Sequence, residues 1–217
     1  MKQVVRTDKF AIFDDVFKQD LFDTFVRHFC EIDFVKHNQN LIKVWKISDG
    51  EIFGGESHSS KKFPFNSPLD FVHNTVYYLA KNNIQDLVGK EGEEWTEIIY
   101  RPYIYPVGTK ISWHNDSGYT AACIFYCHRE WSPFWGGELM IANTPNSEQY
   151  PELKSSPDDL FSKDYTKPFL NYFGFGQYIT PIPNRMVFTK GGVWHGINRV
   201  DVAAGDNLRF SIVAFFK

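Results

Sequence analysis

Residues 105–116 read Tyr-Pro-Val-Gly-Thr-Lys-Ile-Ser-Trp-His-Asn-Asp. Pro106 and Gly108 mark a turn, and the residues from Lys110 onward are rich in β-branched and aromatic types, which fit a pleated, half-buried surface. On a strand successive side chains alternate faces, so His114 and Asp116 are expected to project together while Asn115 points away. Six more short runs share this character, over 96–105, 120–127, 138–142, 185–189, 193–197 and 207–216, with Pro or Gly between most of them. Many short strands with such punctuation predict a sandwich or barrel.

Upstream of residue 96 the period changes. Asp14-Asp15 as caps, followed by Val16, Leu21, Phe22, Phe25, Val26 and Phe29, predict an amphipathic helix over about 15–30. Ser67-Pro68 is a helix start, with Leu69, Val72, Val76, Leu79 and Ala80 on one face up to Asn82-Asn83. Residues 48–64, rich in Gly, Ser and Lys, read as an exposed loop. The expected fold is therefore mostly β with flanking helices: a jelly-roll core over 96–217 backed by helical support over 1–95, all in one domain spanning 1–217. Residues 143–176 interrupt the strands with four prolines, and so long an insertion reads as a lid or a passive surface excursion.

Composition narrows the function. The chain has 217 residues, 43% apolar and 23% charged, the balance of a soluble globular protein. Its net charge of −3 comes without a basic stripe, so nucleic-acid binding is not expected. Neither a secretory signal nor a membrane span is evident, and three cysteines suggest buried free thiols in a reducing cytoplasm.

Two histidines and a carboxylate make a facial triad that suits non-haem Fe(II), because it leaves cis positions open for a cosubstrate and dioxygen. His-x-Asp alone is weak evidence, since about half a match is expected by chance in a chain with seven histidines. His128-Arg129-Glu130 even supplies a decoy. Context decides. The stretch from Tyr105 to Asp116 resembles the Tyr…Gly…His-x-Asp strand pair of prolyl-4-hydroxylase-like Fe(II)/2-oxoglutarate-dependent oxygenases. Gly136-Gly137-Glu138-Leu139 resembles the next strand of that family. Pro183-Asn184-Arg185-Met186-Val187-Phe188 with Trp194-His195-Gly196 resembles its distal-histidine region. Gly205 to Ser211, with Arg209, resembles its closing strand.

The resemblance implies a double-stranded β-helix in which His114, Asp116 and His195 bind Fe(II). It implies that Arg209 grips the distal carboxylate of 2-oxoglutarate, with Ser211 on the same strand face and Tyr105 as further contacts. Tyr103 shares the face of Tyr105. Dioxygen is the second cosubstrate and ascorbate an optional reductant. Expected is a hydroxylase acting on an unactivated C–H bond of a small molecule or an amino acid, free, peptidyl or borne on a natural product. An aspartate at 116 favours hydroxylation over the halogenation that relatives with a small residue there perform. Two departures from the common pattern are the 14 residues from His195 to Arg209, with 199–205 inserted, and the 79 residues from Asp116 to His195.

Two rival classes are a non-catalytic jelly-roll binding module and a zinc hydrolase. The first conflicts with a charge retained inside the apolar run 208–216, the second with the lack of an H-E-x-x-H helix motif. Trp113, Trp131, Phe134 and Trp135 are candidates for an apolar pocket mouth. Arg101, Arg129, Arg185 and Arg199 are candidates for anchoring an anionic substrate. The remaining histidines, His28, His37, His58 and His73, are expected to be structural or solvent-facing.

Overall fold

A computed structural model describes residues 1–37, 47–116, 118–143 and 176–217. In chain order its strands and helices are β1 (Lys2–Arg6), β2 (Phe10–Asp14), α1 (Gln19–Glu31), β3 (Val35–Lys36), β4 (Phe53–Gly54), β5 (His58–Ser59), α2 (Leu69–Asn82), α3 (Gln85–Val88) and β6 (Ile98–Tyr105). There follow β7 (Ile111–His114), β8 (Ala121–Tyr126), β9 (Leu139–Ala142), β10 (Gly176–Ile179), β11 (Met186–Lys190), β12 (His195–Ile197) and β13 (Arg209–Phe216). No helix of the described residues is long and apolar enough to cross a membrane.

Two antiparallel sheets face each other, as a jelly roll requires. The larger runs β1-β2-β11-β8-β13-β6-β4-β3, with β5 also paired to β6; the smaller runs β10-β9-β12-β7. Strand alternation divides the larger sheet's side chains between two cores. On β13, Ile212, Ala214 and Phe216 pack with the helices, whereas Arg209, Ser211, Val213 and Phe215 alternate with them toward the smaller sheet. Phe125 of β8 meets Phe17, Phe22 and Phe25 edge-on, with ring centres 5.4, 6.2 and 5.9 Å away, and so joins the helical layer to the sheet. Cys123 and Cys127 fall in this helix-side core, as their even spacing predicts, whereas Cys30 is exposed.

The seven expected strands all form, with ends shifted by no more than two residues. The N-terminal 95 residues are not purely helical support, however. Phe10–Asp14 is buried on both faces as a strand of the larger sheet, between β1 and β11. Its run Phe-Ala-Ile-Phe carries no polar alternation, so period gives no strand signal there. The first helix begins at Gln19 rather than 15, and Asp14 serves elsewhere: its carboxylate accepts two hydrogen bonds from Arg185, at 2.6 and 2.8 Å. The second helix starts where Ser67-Pro68 predicts, the Ser67 hydroxyl accepting from the Leu69 amide.

Residues 48–64 are also no free loop. Ile52 is fully buried, Phe53 and Gly54 pair with Ile104 and Tyr103 of β6, and His58 and Ser59 pair with Tyr100 and Ile99. Its polar composition conceals a segment laid along a sheet edge. Residues 144–175, nearly all of the expected lid, lie outside the described residues, and the strands on either side of them pair with Gly176 opposite Ala142.

Candidate active site

Three ligand-type side chains converge at the mouth between the sheets. His114 on β7 and His195 on β12 are direct cross-strand partners, with ring centres 4.2 Å apart. Asp116 reaches them by a route other than simple strand alternation. β7 ends at His114, and Asp116 takes a positive φ of 38° and opens a turn in which its carbonyl accepts from the Tyr119 amide. Aspartate tolerates this left-handed conformation better than most residues. The result is a carboxylate 3.6 Å from His114 Nε2 and 3.4 Å from His195 Nε2. One donor atom from each residue lies within 4.8 Å of the others.

Backbone carbonyls set the tautomers. His114 Nδ1 donates to its own strand at Ser112 O, 2.9 Å, and His195 Nδ1 donates to Val193 O, 2.8 Å. Both Nε2 atoms therefore face Asp116, placed to offer their lone pairs to a metal once it replaces the proton shared there. Burial and then the neighbouring His195 hold His114 down at about 4. Burial would also depress His195, but the hydrogen bond and charge of Asp116 outweigh it and leave it raised. Against the opposing effect of burial, the two imidazoles keep Asp116 down at about 2. A cation stabilising an ionised carboxylate and two neutral imidazoles fits this donor set.

A second layer steadies β7. Asp49 is completely buried and accepts from the Ser112 hydroxyl at 2.7 Å and the Ser112 amide at 3.3 Å. Ser112 O in turn holds His114. The sequence reading missed Asp49 because it lies in the polar stretch assigned to a loop; only its place beside β7 reveals the role.

Beside the triad, a cavity of about 210 Å³ is lined by Tyr103, Tyr105, Tyr119 and Phe215 and by an aliphatic wall that includes Ile124, Leu139 and Val213. Tyr119 stacks on Phe215 with ring centres 4.5 Å apart. Arg209 is adjacent: its guanidinium carbon is 4.8 Å from the ring centre of Tyr105 and 5.0 Å from that of Tyr126. Its Nε donates to Gly137 O at 2.8 Å. Gly137 has a positive φ of 72°, and a Cβ there would come within 2.9 Å of Arg209 Cδ, so the Gly136-Gly137 pair gives the arginine its berth.

The remaining polar atoms are unpaired. Both Nη atoms of Arg209, the Ser211 hydroxyl and the Tyr126 hydroxyl are buried with no hydrogen-bond partner among the described residues. Ser211 lies directly across from Tyr126. A fully buried guanidinium facing no carboxylate is costly. An anion with oxygens for these donors would satisfy it, and one carboxylate of a dicarboxylic acid has them. Tyr126 was not singled out from the sequence; its parity with Ile124 on β8 was the available signal. Burial pushes the Tyr105 phenol up, so it stays a neutral donor.

Other candidates lie elsewhere. Trp131 and Trp135 pack into the inter-sheet core, Phe134 is exposed, and none of these or Trp113 is among the cavity-lining residues, whose wall comes from β6, β8 and β13 on one side and from Ile111, Leu139 and Ile197 on the other. His128, the decoy, is buried away from the triad, with Nε2 2.6 Å from Pro181 O and Nδ1 3.2 Å from Phe210 O. His73 is buried against the Tyr100 hydroxyl, and His37 stacks on Tyr103. Residues 199–205 carry a short 3-10 turn, Val202–Ala204, and Arg199 donates to the carbonyls of Gly108 and Ser48, so the insertion before Arg209 braces the turn preceding β7.

The family described as the 2OG-Fe(II) oxygenase superfamily matches residues 100–217. Among solved structures, a Pseudomonas putida prolyl-4-hydroxylase is similar at TM-score 0.62 and 13% identity, over 96% of this chain and 92% of that one. A Trichoplax adhaerens prolyl hydroxylase, solved with a hypoxia inducible factor peptide, is similar at 0.61 and 14%, over 97% and 84%. The epimerase SnoN from nogalamycin biosynthesis is similar at 0.53 and 10%, over 97% and 78%. At such identities the likeness is one of fold. No curated protein matches in sequence.

Proposed function

Because the chain belongs to the 2OG-Fe(II) oxygenase superfamily and is a 2-oxoglutarate-dependent dioxygenase, we propose that residues 1–217 act as one domain that hydroxylates an unactivated C–H bond. The substrate is a small molecule or an amino acid, free, peptidyl or borne on a natural product. Dioxygen, 2-oxoglutarate and R–H become succinate, CO2 and R–OH, one oxygen atom going to succinate and one to the product. Fe(II), which His114, Asp116 and His195 would hold, would supply the activation of dioxygen that side chains cannot.

The chain's own residues bind and orient. Nε2 of both histidines and the Asp116 carboxylate would hold the ion, and the Nδ1 bonds to Ser112 O and Val193 O keep the rings aimed. Arg209, with the Ser211 and Tyr126 hydroxyls, holds the far carboxylate of 2-oxoglutarate, and Tyr105 closes one side of that berth. The aliphatic wall excludes water from the reacting bond. The observation that supports this most is the buried, unpaired guanidinium beside three converging ligands.

The test is isotopic. With 18O2, Fe(II) and a library of amino acids and metabolites, one label is expected in succinate and one in a hydroxylated product. Succinate formation that is independent of oxygen, or a labelled succinate never accompanied by a labelled product, would contradict hydroxylation.

A further inference from the structure

Four arginines stand near the core motifs, and the fold separates them. Arg185 is spent on Asp14. Arg199 is spent on backbone carbonyls. Arg129 is exposed on the outer surface, in a depression it shares with Asp20, Asp23 and Arg27. Only Arg101 stands on the site's own face of the larger sheet. It lies two residues before Tyr103 and four before Tyr105, both cavity-lining, and its cross-strand partner Val213 lines the cavity as well. At roughly 3.3 Å per residue, four residues place it about 13 Å along β6 from the Arg209 end.

Arg101 is half-buried, yet no carboxylate pairs with it among the described residues. Its Nε donates to Gly55 O at 3.2 Å and its guanidinium carbon lies 5.6 Å from the Tyr103 ring centre. These two contacts fix the plane of the group without neutralising it. Gly54 leaves room for His37 and Arg101 together, since a Cβ there would collide with His37 Nε2 and lie 3.1 Å from Arg101 Nε. The uncompensated charge is felt nearby: after burial, Arg101 is the second influence that lowers His37. Between the two arginines the cavity wall is mainly apolar, apart from the triad and the tyrosines.

We propose that Arg101 binds a carboxylate of the substrate, so that the enzyme acts on carboxylic acids whose apolar portion crosses the iron site. This rests on the oxygenase reading and adds the substrate class to it. Arg209 and Arg101, which stand beside the cavity rather than among its lining residues, then hold two anions at two places along β6: the cosubstrate at one, the substrate at the other. A planar guanidinium suits a carboxylate because it offers two parallel donors.

The experiment uses the Fe(II)-loaded enzyme with 2-oxoglutarate and matched probes: the free L-amino acids and the straight-chain C4–C8 carboxylic acids, each beside its primary amide. Readouts are the shift each probe causes in the visible band of the anaerobic iron–2-oxoglutarate complex and the KM for succinate release. Expected is a preference of at least tenfold for an acid over its amide, lost in Arg101→Met, partly kept in Arg101→Lys, with 2-oxoglutarate affinity unchanged in both. Amino acids outperforming simple acids would identify an α-carboxylate; the reverse would identify a chain-terminal one. An acid–amide preference that is absent from the wild type, or that survives in Arg101→Met, overturns the assignment while the intact band preserves the oxygenase reading. A wild-type protein that forms no band takes down that reading, and this one with it.

Discussion

On the proposed function Arg209 is the residue that holds the cosubstrate, its two Nη atoms being buried with no hydrogen-bond partner among the described residues. Charge-assisted hydrogen bonds of this kind contribute about 1.5–3 kcal/mol each. Arg209→Lys keeps the charge but loses the two-pronged geometry, so 2-oxoglutarate affinity is expected to fall about ten- to hundredfold, measured by titration of the iron-loaded protein. Tyr126→Phe removes one donor and is expected to weaken the same affinity only a few-fold. Equal affinity in wild type and Arg209→Lys would place the cosubstrate elsewhere. His128 makes a separate prediction. Burial, against the opposing pull of the Pro181 and Phe210 carbonyls and with help from the charge of Arg209, holds its imidazole at about 4, whereas an unfolded histidine titrates near 6.5. The unfolded chain thus takes a proton that the folded one refuses. Stability is expected to fall as pH drops from about 6.5 toward about 4, by up to about 3 kcal/mol from this group. Urea unfolding of the wild type and of His128→Gln across that window checks it, the variant showing a shallower slope; identical slopes would contradict it.

Among elements, β7 carries His114 and leads into the turn that carries Asp116, the first two proposed ligands, and Asp49 holds it from outside the sheet. Asp49→Ala leaves Ser112 without its buried acceptor, and supporting shells of this type typically contribute 10- to 100-fold to metal affinity. The expected outcome is a loss in that range for Fe(II) or Mn(II) by calorimetry, with 2-oxoglutarate affinity at saturating metal little changed. The contrast between β7 and its support shows what was legible in the sequence. Ile111, Trp113 and the surrounding Pro and Gly gave a local strand signal, and the four family-like segments added order along the chain. That was enough to point to His114, Asp116 and His195, which converge, and to Arg209, Ser211 and Tyr105 as the proposed cosubstrate contacts. Asp49 and Tyr126 were hidden because their roles depend on tertiary neighbours, Ser112 from 63 residues away and Ser211 across β8 and β13. β2 was hidden for a different reason, since burial on both faces erases alternation. Asp116 converges with His114 as expected, yet through a left-handed turn that spacing alone does not report.

At the scale of the whole molecule, the larger sheet separates two cores with different duties. The helix-side core, centred on Phe125, carries stability, and the inter-sheet core carries the site. Phe125→Ala is expected to cost about 3–5 kcal/mol of unfolding free energy, as buried aromatic truncations do. Metal and 2-oxoglutarate binding per folded molecule is expected to persist, because every group that faces the triad lies on the other side of the sheet. A truncation that abolished binding while leaving the protein folded would show the two cores to be coupled. The spacing of Arg209 and Arg101 along the cavity's β6–β13 side belongs to this scale too, since the two strands are joined over their full length.

The most direct measurement is anaerobic visible spectroscopy of the protein with Fe(II) and then 2-oxoglutarate. A weak charge-transfer band from the chelate is expected in the wild type, absent from His114→Ala and weakened in Arg209→Ala at subsaturating 2-oxoglutarate. A wild-type spectrum unchanged by 2-oxoglutarate, or a band indifferent to the loss of His114, would contradict an iron site built from these residues.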